Sequence, residues 1–152
     1  MVALLLLLLF VAGFWMLNQT LDAVVILGRD FVNLPSYPLP IDVWTYHDGS
    51  YTLLWLSYVG LVIWEITPWK PGHLTSGRII IALVGFAVLT AGLWLAQDTM
   101  NAVLVLNRKY VDFPFFLASG DIYVSRDISI LLVALGFVGF QTLVRVSHKH
   151  GE

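Results

Sequence analysis

Ala12-Gly13-Phe14-Trp15-Met16-Leu17-Asn18-Gln19-Thr20-Leu21-Asp22-Ala23-Val24 returns later in the chain as Ala91-Gly92-Leu93-Trp94-Leu95-Ala96-Gln97-Asp98-Thr99-Met100-Asn101-Ala102-Val103. The offset is 79 residues, Trp15 to Trp94, and it holds outward from this stretch without a gap. Arg29 falls on Arg108, Pro35 on Pro114, Asp42 on Asp121, Asp48 on Asp127, Ser50 on Ser129 and Gly60 on Gly139. About a third of the positions from Ala12 to Val62 are identical to their partners, far more than shared apolar composition gives. A tandem duplication of one two-helix unit is therefore expected: repeat 1 over 1–67, a linker over 68–78 and repeat 2 over 79–152.

The composition places that unit in a membrane. Apolar residues make up 59% of the 152 and charged residues 12%, with a mean hydropathy of +0.83. Soluble domains carry about twice that charged fraction. Four stretches, 2–27, 51–66, 79–106 and 128–146, approach the roughly twenty apolar residues that a helix needs to cross the hydrocarbon core. The fold class expected is all-α integral membrane with four transmembrane helices. A cleavable signal is not expected at the leucine-rich start: Met1-Val2-Ala3 carries no charged side chain, and the segment matches an internal helix.

Two crossings per unit return the chain to its starting side. The copies should then run parallel, related by a pseudo-twofold axis along the membrane normal. The linker Pro68-Trp69-Lys70-Pro71-Gly72 reads as a helix stop and polar turn. The two long loops share a pattern of Arg, aromatic, Pro and Asp, which suits ordered extended pieces or short helices better than plain connectors. Lys and Arg counts tie across the membrane. The amino terminus and the tail histidines His148 and His150 tip the reading to cytoplasmic termini in the cell membrane.

Polar residues gather where the first and third helices approach the loops: Asn18-Gln19-Thr20-Leu21-Asp22 and Gln97-Asp98-Thr99-Met100-Asn101. Positions three apart share a helix face, so Gln19 stacks with Asp22 and Asp98 with Asn101. Acid and amide exchange places between the copies, which would let each carboxylate meet a carboxamide across the pseudo-twofold axis. Arg29 and Arg108 follow two turns later and approach the cluster if the helices run that far. Ionisable groups at membrane depth suit an ion, proton or quinone-headgroup site. Interhelical hydrogen bonding is the stronger reading of the same residues. Ala12-Gly13, Ala91-Gly92, Gly60 and Gly139 are the small residues expected at the helix contacts.

Other chemistry has less to stand on. Cysteine is absent, which excludes disulfides and thiolate sites. His47, His73, His148 and His150 all fall outside the expected spans, so no haem is expected. His47, Asp48 and Asp42 make a conceivable metal trio, although Asp48 and Asp127, with Ser50 and Ser129, read more simply as helix caps. Glu65 reads as a solvated interfacial acid. The net charge of −2 gives no reason to expect nucleic acid. Neither a nucleophile elbow, nor a phosphate loop, nor HExxH occurs.

The function expected is a non-catalytic accessory subunit of a larger membrane complex, respiratory or otherwise energy-converting. It would bind no cofactor, and its partners would be other integral-membrane subunits and lipid. The alternative is a small homo-oligomeric channel or transporter for an ion or small solute, using Gln19, Asp22, Asp98 and Asn101.

Overall fold

The computed structural model describes residues 1–34, 38–66, 76–113 and 118–150. Helix α1, Val2–Leu21, runs into a π-helical turn over Asp22–Ile26. The turn ends at Gly28, whose φ of 62° takes the left-handed conformation, and Arg29 N donates back to the Ala23 carbonyl at 2.8 Å. Helix α3, Ser76–Leu104, ends alike: Asn107 takes φ 49° and Arg108 N donates to the Ala102 carbonyl at 2.7 Å. Glycine and asparagine are the residues that tolerate this geometry, so Gly28 and Asn107 stop their helices for one reason.

Each helix is followed by a two-stranded antiparallel hairpin. β1 (Phe31–Val32) pairs with β2 (Ile41–Asp42), and β3 (Tyr110–Phe113) pairs with β4 (Ala118–Asp121). Phe31 faces Asp42 and Tyr110 faces Asp121. The second strand of each hairpin leads directly into a helix, α2 over Val43–Ile66 and α4 over Ile122–His150.

These helices start well before residues 51 and 128, where hydropathy places them. Their second turns carry His47 and Asp48 or Arg126 and Asp127, and hydropathy finds only the part of a helix that suits lipid. The caps move accordingly. Asp42 Oδ2 accepts from Trp44 N at 3.1 Å and Thr45 N at 3.2 Å, and Asp121 Oδ1 accepts from Tyr123 N at 3.2 Å. Asp48 and Asp127 lie inside the helices, and Ser50 and Ser129 donate to carbonyls of their own helices. Asp42→Ala and Asp121→Ala should each lower stability by about 1 kcal/mol in reversible detergent unfolding, whereas Ser50→Ala should lack any capping effect.

Helix α1 packs along α2, and α3 along α4. A Cβ at Gly13 would stand 2.9 Å from Leu53 Cβ, and one at Gly92 would stand 2.9 Å from Leu132 Cβ. These two glycines serve as expected. Gly139 has nothing within 4 Å of a built Cβ, and Gly60 meets only the Leu6 side chain. Helices α3 and α4 also approach closely at Gly85 and Gly136. A Cβ on either would lie within 3.0 Å of the other's carbonyl oxygen.

The two helical hairpins meet through a few specific contacts. Phe10 and Phe137 stack with ring centroids 3.7 Å apart. Tyr58 donates to the Ala82 carbonyl at 2.7 Å, and Tyr51 donates to the Leu93 carbonyl. Between them lies a core that includes Leu17, Leu21, Leu54, Leu89, Leu93 and Val133.

Among the described residues three helices are long and apolar enough to cross a membrane: Val2–Ile26, Gly77–Leu104 and Ile122–Thr142. The chain is thus mostly helical and of membrane-embedded type. Helix α2 is long enough at 24 residues but carries Thr45, His47, Asp48, Ser50 and Thr52 in its first half. The expected linker over 68–78 lies outside the described residues as far as residue 75.

Candidate functional site

The π-helical turn after α1 decides where the polar cluster points. Asp22 opens that turn, and its carboxylate pairs with the Arg126 guanidinium from the second turn of α4. Arg126 Nη1 also holds Asp127 Oδ1 at 3.0 Å. One cation therefore serves two acids, and one of the two pairs joins the helical hairpins. The Arg126 side chain is 20% exposed and that of Asp22 45%. Burial of that order strengthens the pair over a surface salt bridge and makes a missing partner costly.

Gln19, one turn earlier, accepts a hydrogen bond at Oε1 from Tyr46 Oη at 2.9 Å. This fastens α1 to α2 where α3 and α4 use smaller groups. Thr99 donates to the Leu95 carbonyl at 2.7 Å, and Ser125 Oγ lies 2.7 Å from Thr99 Oγ1. A hydroxyl has one proton, so Ser125 is the donor in that second bond. Thr20 likewise donates to its own helix, at the Met16 carbonyl.

Among the described residues no hydrogen bond or ion pair joins Gln19, Asp22 and Arg29 to Asp98, Asn101 and Arg108. Gln19, Asp22 and Arg29 line a cavity of about 240 Å³ with Phe31, Val32 and Asn33. Asp98 and Asn101 stand half-buried on α3 and line no part of it. Arg29 and Arg108 lie beyond the helix ends, against the rings of Phe31 and Tyr110 at 5.6 and 5.4 Å from the centroids. Arg108 also reaches Asp112 at 3.8 Å. Among the described residues no hydrogen bond links Asp22 with Asn101 or Gln19 with Asp98; Arg126 and Tyr46 are the partners instead.

His47 lies inside α2 rather than in a loop, and it is 2% exposed. Its Nδ1 is 3.3 Å from Asp48 Oδ1, and its ring packs edge-on against Tyr51 at 4.1 Å. Asp42 is engaged at the helix start, so Asp42, His47 and Asp48 do not converge on a metal. Among the described residues no group of three His, Asp or Glu side chains is placed to hold one. Glu65 lines a cavity of about 520 Å³ at the other end of the bundle, with Leu4, Leu7, Phe137 and Gln141.

Arg126 and Tyr46 are the residues that sequence reasoning missed. Both fall in helical turns that hydropathy assigns to loops. The available signal was Asp42 and Asp121, each an acid immediately before apolar residues, the usual mark of a helix start.

Comparison with models of known protein families, with curated proteins and with solved structures gives no match.

Proposed function

We propose that the chain is a four-span protein of the cell membrane, built by tandem duplication, and a non-catalytic subunit of a larger integral-membrane complex. The duplication is supported by contacts that recur at the sequence offset. Arg29 to Ala23 corresponds to Arg108 to Ala102, Val43 to Asp30 corresponds to Ile122 to Lys109, and His47–Asp48 corresponds to Arg126–Asp127. The fourth span is supported by α2, whose 24 residues extend about 36 Å alongside α1, against a hydrocarbon core of about 30 Å. Cytoplasmic termini remain part of this reading.

One observation carries the non-catalytic role: Asp22 and Gln19 at the loop end are engaged with side chains of other helices. Asp22 is held by Arg126 and Gln19 by Tyr46, which suits groups that fasten helices. The outer faces present Leu4, Leu8, Trp15, Ile63, Leu83, Trp94 and Leu135 to lipid or to neighbouring subunits. A respiratory or other energy-converting complex is the proposed setting.

The test is gentle detergent extraction of the tagged chain from its own membrane. Stoichiometric recovery of larger integral-membrane subunits is the expected result. Recovery of the chain alone as a homo-oligomer that conducts ions in liposomes would overturn it in favour of a channel. Asp22→Asn and Asp98→Asn sharpen the distinction. A fastening role leaves complex activity intact with a stability change of at most about 2 kcal/mol, whereas a conducting role loses flux while assembly persists.

A further inference from the structure

A groove of about 420 Å³ runs along the seam between α2 and α3, with Asp48, Tyr51, Thr52, Trp55, Thr90 and Trp94 in its lining. Its chemistry is uneven. Tyr51, Trp55 and Trp94 supply aromatic surface, and Trp55 and Trp94 are 43% and 45% exposed. Asp48 supplies a carboxylate that is 80% exposed, with one oxygen toward His47 and no cationic partner from Lys or Arg among the described residues. The buried Thr90 hydroxyl has no hydrogen-bond partner.

The opposite seam, between α4 and α1, provides an internal control. At the offset of 79, Tyr51, Thr52, Trp55 and Thr90 become Ile130, Leu131, Ala134 and Val11. Asp48 becomes Asp127, whose neighbour is Arg126 in place of His47, and Arg126 pairs with it at 3.0 Å. Among the described residues an arginine thus pairs with the acid on one seam, and no Lys or Arg pairs with the acid on the other. The seam without that pairing is the one with the aromatic walls.

We propose that the α2–α3 groove binds an alkylammonium group, with Asp48 as counter-ion, the Trp55 and Trp94 rings against the cationic head, and the alkyl chain extending along the seam into the hydrocarbon. Aromatic faces attract ammonium ions through their quadrupole, most strongly when water is excluded. A carboxylate is stabilised by an opposite charge, the more so beside apolar surface. The groove's volume is in the range of small-ligand sites. The ammonium group is that of a lipid headgroup or of a free lipophilic amine.

The probe is labelled dodecyltrimethylammonium, added to the full chain in phosphatidylglycerol nanodiscs, which contain no ammonium headgroup. Saturable binding of one molecule per chain is expected, with dodecanol failing to compete. Asp48→Asn and Trp94→Leu should each weaken binding about three- to fivefold, since a cation–π or ion-pair contact at an exposed site is worth about that much. Asp127→Asn should leave binding unchanged. Both groove residues are exposed, and the Trp94 variant provides an independent reading if the Asp48 variant is unstable. Non-saturable uptake, competition by dodecanol, or full affinity in the Trp94 variant would each overturn the proposal. Repeating the titration in phosphatidylcholine nanodiscs assigns the source. A loss of apparent affinity supports the lipid headgroup as the occupant, and an unchanged affinity supports a free amine.

Discussion

Replacing Arg126 with methionine should destabilise the protein by about 2–3 kcal/mol, the largest polar effect expected for any single position in the described chain. The guanidinium is four-fifths buried and holds Asp22 and Asp127 at once. Removing one partner of a fully buried pair costs about 3–5 kcal/mol because an uncompensated charge stays behind. Asp22 is 45% exposed, so water recovers part of that cost. Arg126→Lys should retain only part of the stability, because a compact ammonium lacks the planar fork that reaches two carboxylates. In the double variant Asp22→Asn with Arg126→Met the more buried of the two orphaned acids is gone, and Asp127, 71% exposed, stays solvated. The double variant's destabilisation should fall short of the sum of the single variants by about 1 kcal/mol or more. Equilibrium unfolding in mixed detergent micelles measures the parent, the three single variants and the double variant. An Arg126→Met variant as stable as the parent would show that the hairpins are held together without this pair.

The same residue shows how far the sequence could be read. Apolar runs and a constant offset made the helical, membrane-embedded character legible, because both depend on local composition and order. The extent of α2 and α4 was not legible in that way. Their second turns carry His47, Asp48, Arg126 and Asp127, and a hydropathy reading assigns such residues to loops. Moving each helix start back to Val43 and Ile122 puts Arg126 beside Asp22 and Tyr46 beside Gln19. The acid and amide exchange between Asp22 and Asn101 was visible in the sequence. Its partner was not, because a contact between residues 22 and 126 depends on how two hairpins dock. Arg29 and Arg108 were drawn toward the cluster by assuming a continuous helix. The left-handed Gly28 and Asn107 end the helices first, and the two arginines stack on the rings that follow. The expected cap residues failed for the same reason as the helix starts, and Asp42 and Asp121 took that role.

Gly136 and Gly139 lie three residues apart on α4, and their replacement should have opposite consequences. A Cβ at Gly136 would stand 2.8 Å from the Gly85 carbonyl oxygen and 2.8 Å from Leu89 N. Both are backbone atoms, so no rotamer change relieves the clash and α3 and α4 must separate. Separation forfeits the close dispersion contacts that hold membrane helices together, since lipid is as apolar as the helix surface. Gly136→Leu should therefore cost about 3 kcal/mol, at the upper end of overpacking effects. Gly136→Ala should cost less, about 1–2 kcal/mol. At Gly139 a Cβ meets nothing within 4 Å, and alanine removes the conformational freedom that glycine brings to a helix. Gly139→Ala should be neutral or gain up to about 1 kcal/mol. Gly85→Ala should resemble Gly136→Ala, because its Cβ would strike the Tyr58 hydroxyl and approach the Gly136 carbonyl oxygen at 3.0 Å. The pair should be less than additive, since helices already separated for one methyl accommodate the second. Equal effects at positions 136 and 139 would mean that α3 and α4 do not cross at Gly85 and Gly136. A strictly additive pair would mean that the two methyls are relieved independently, without a common separation of the helices.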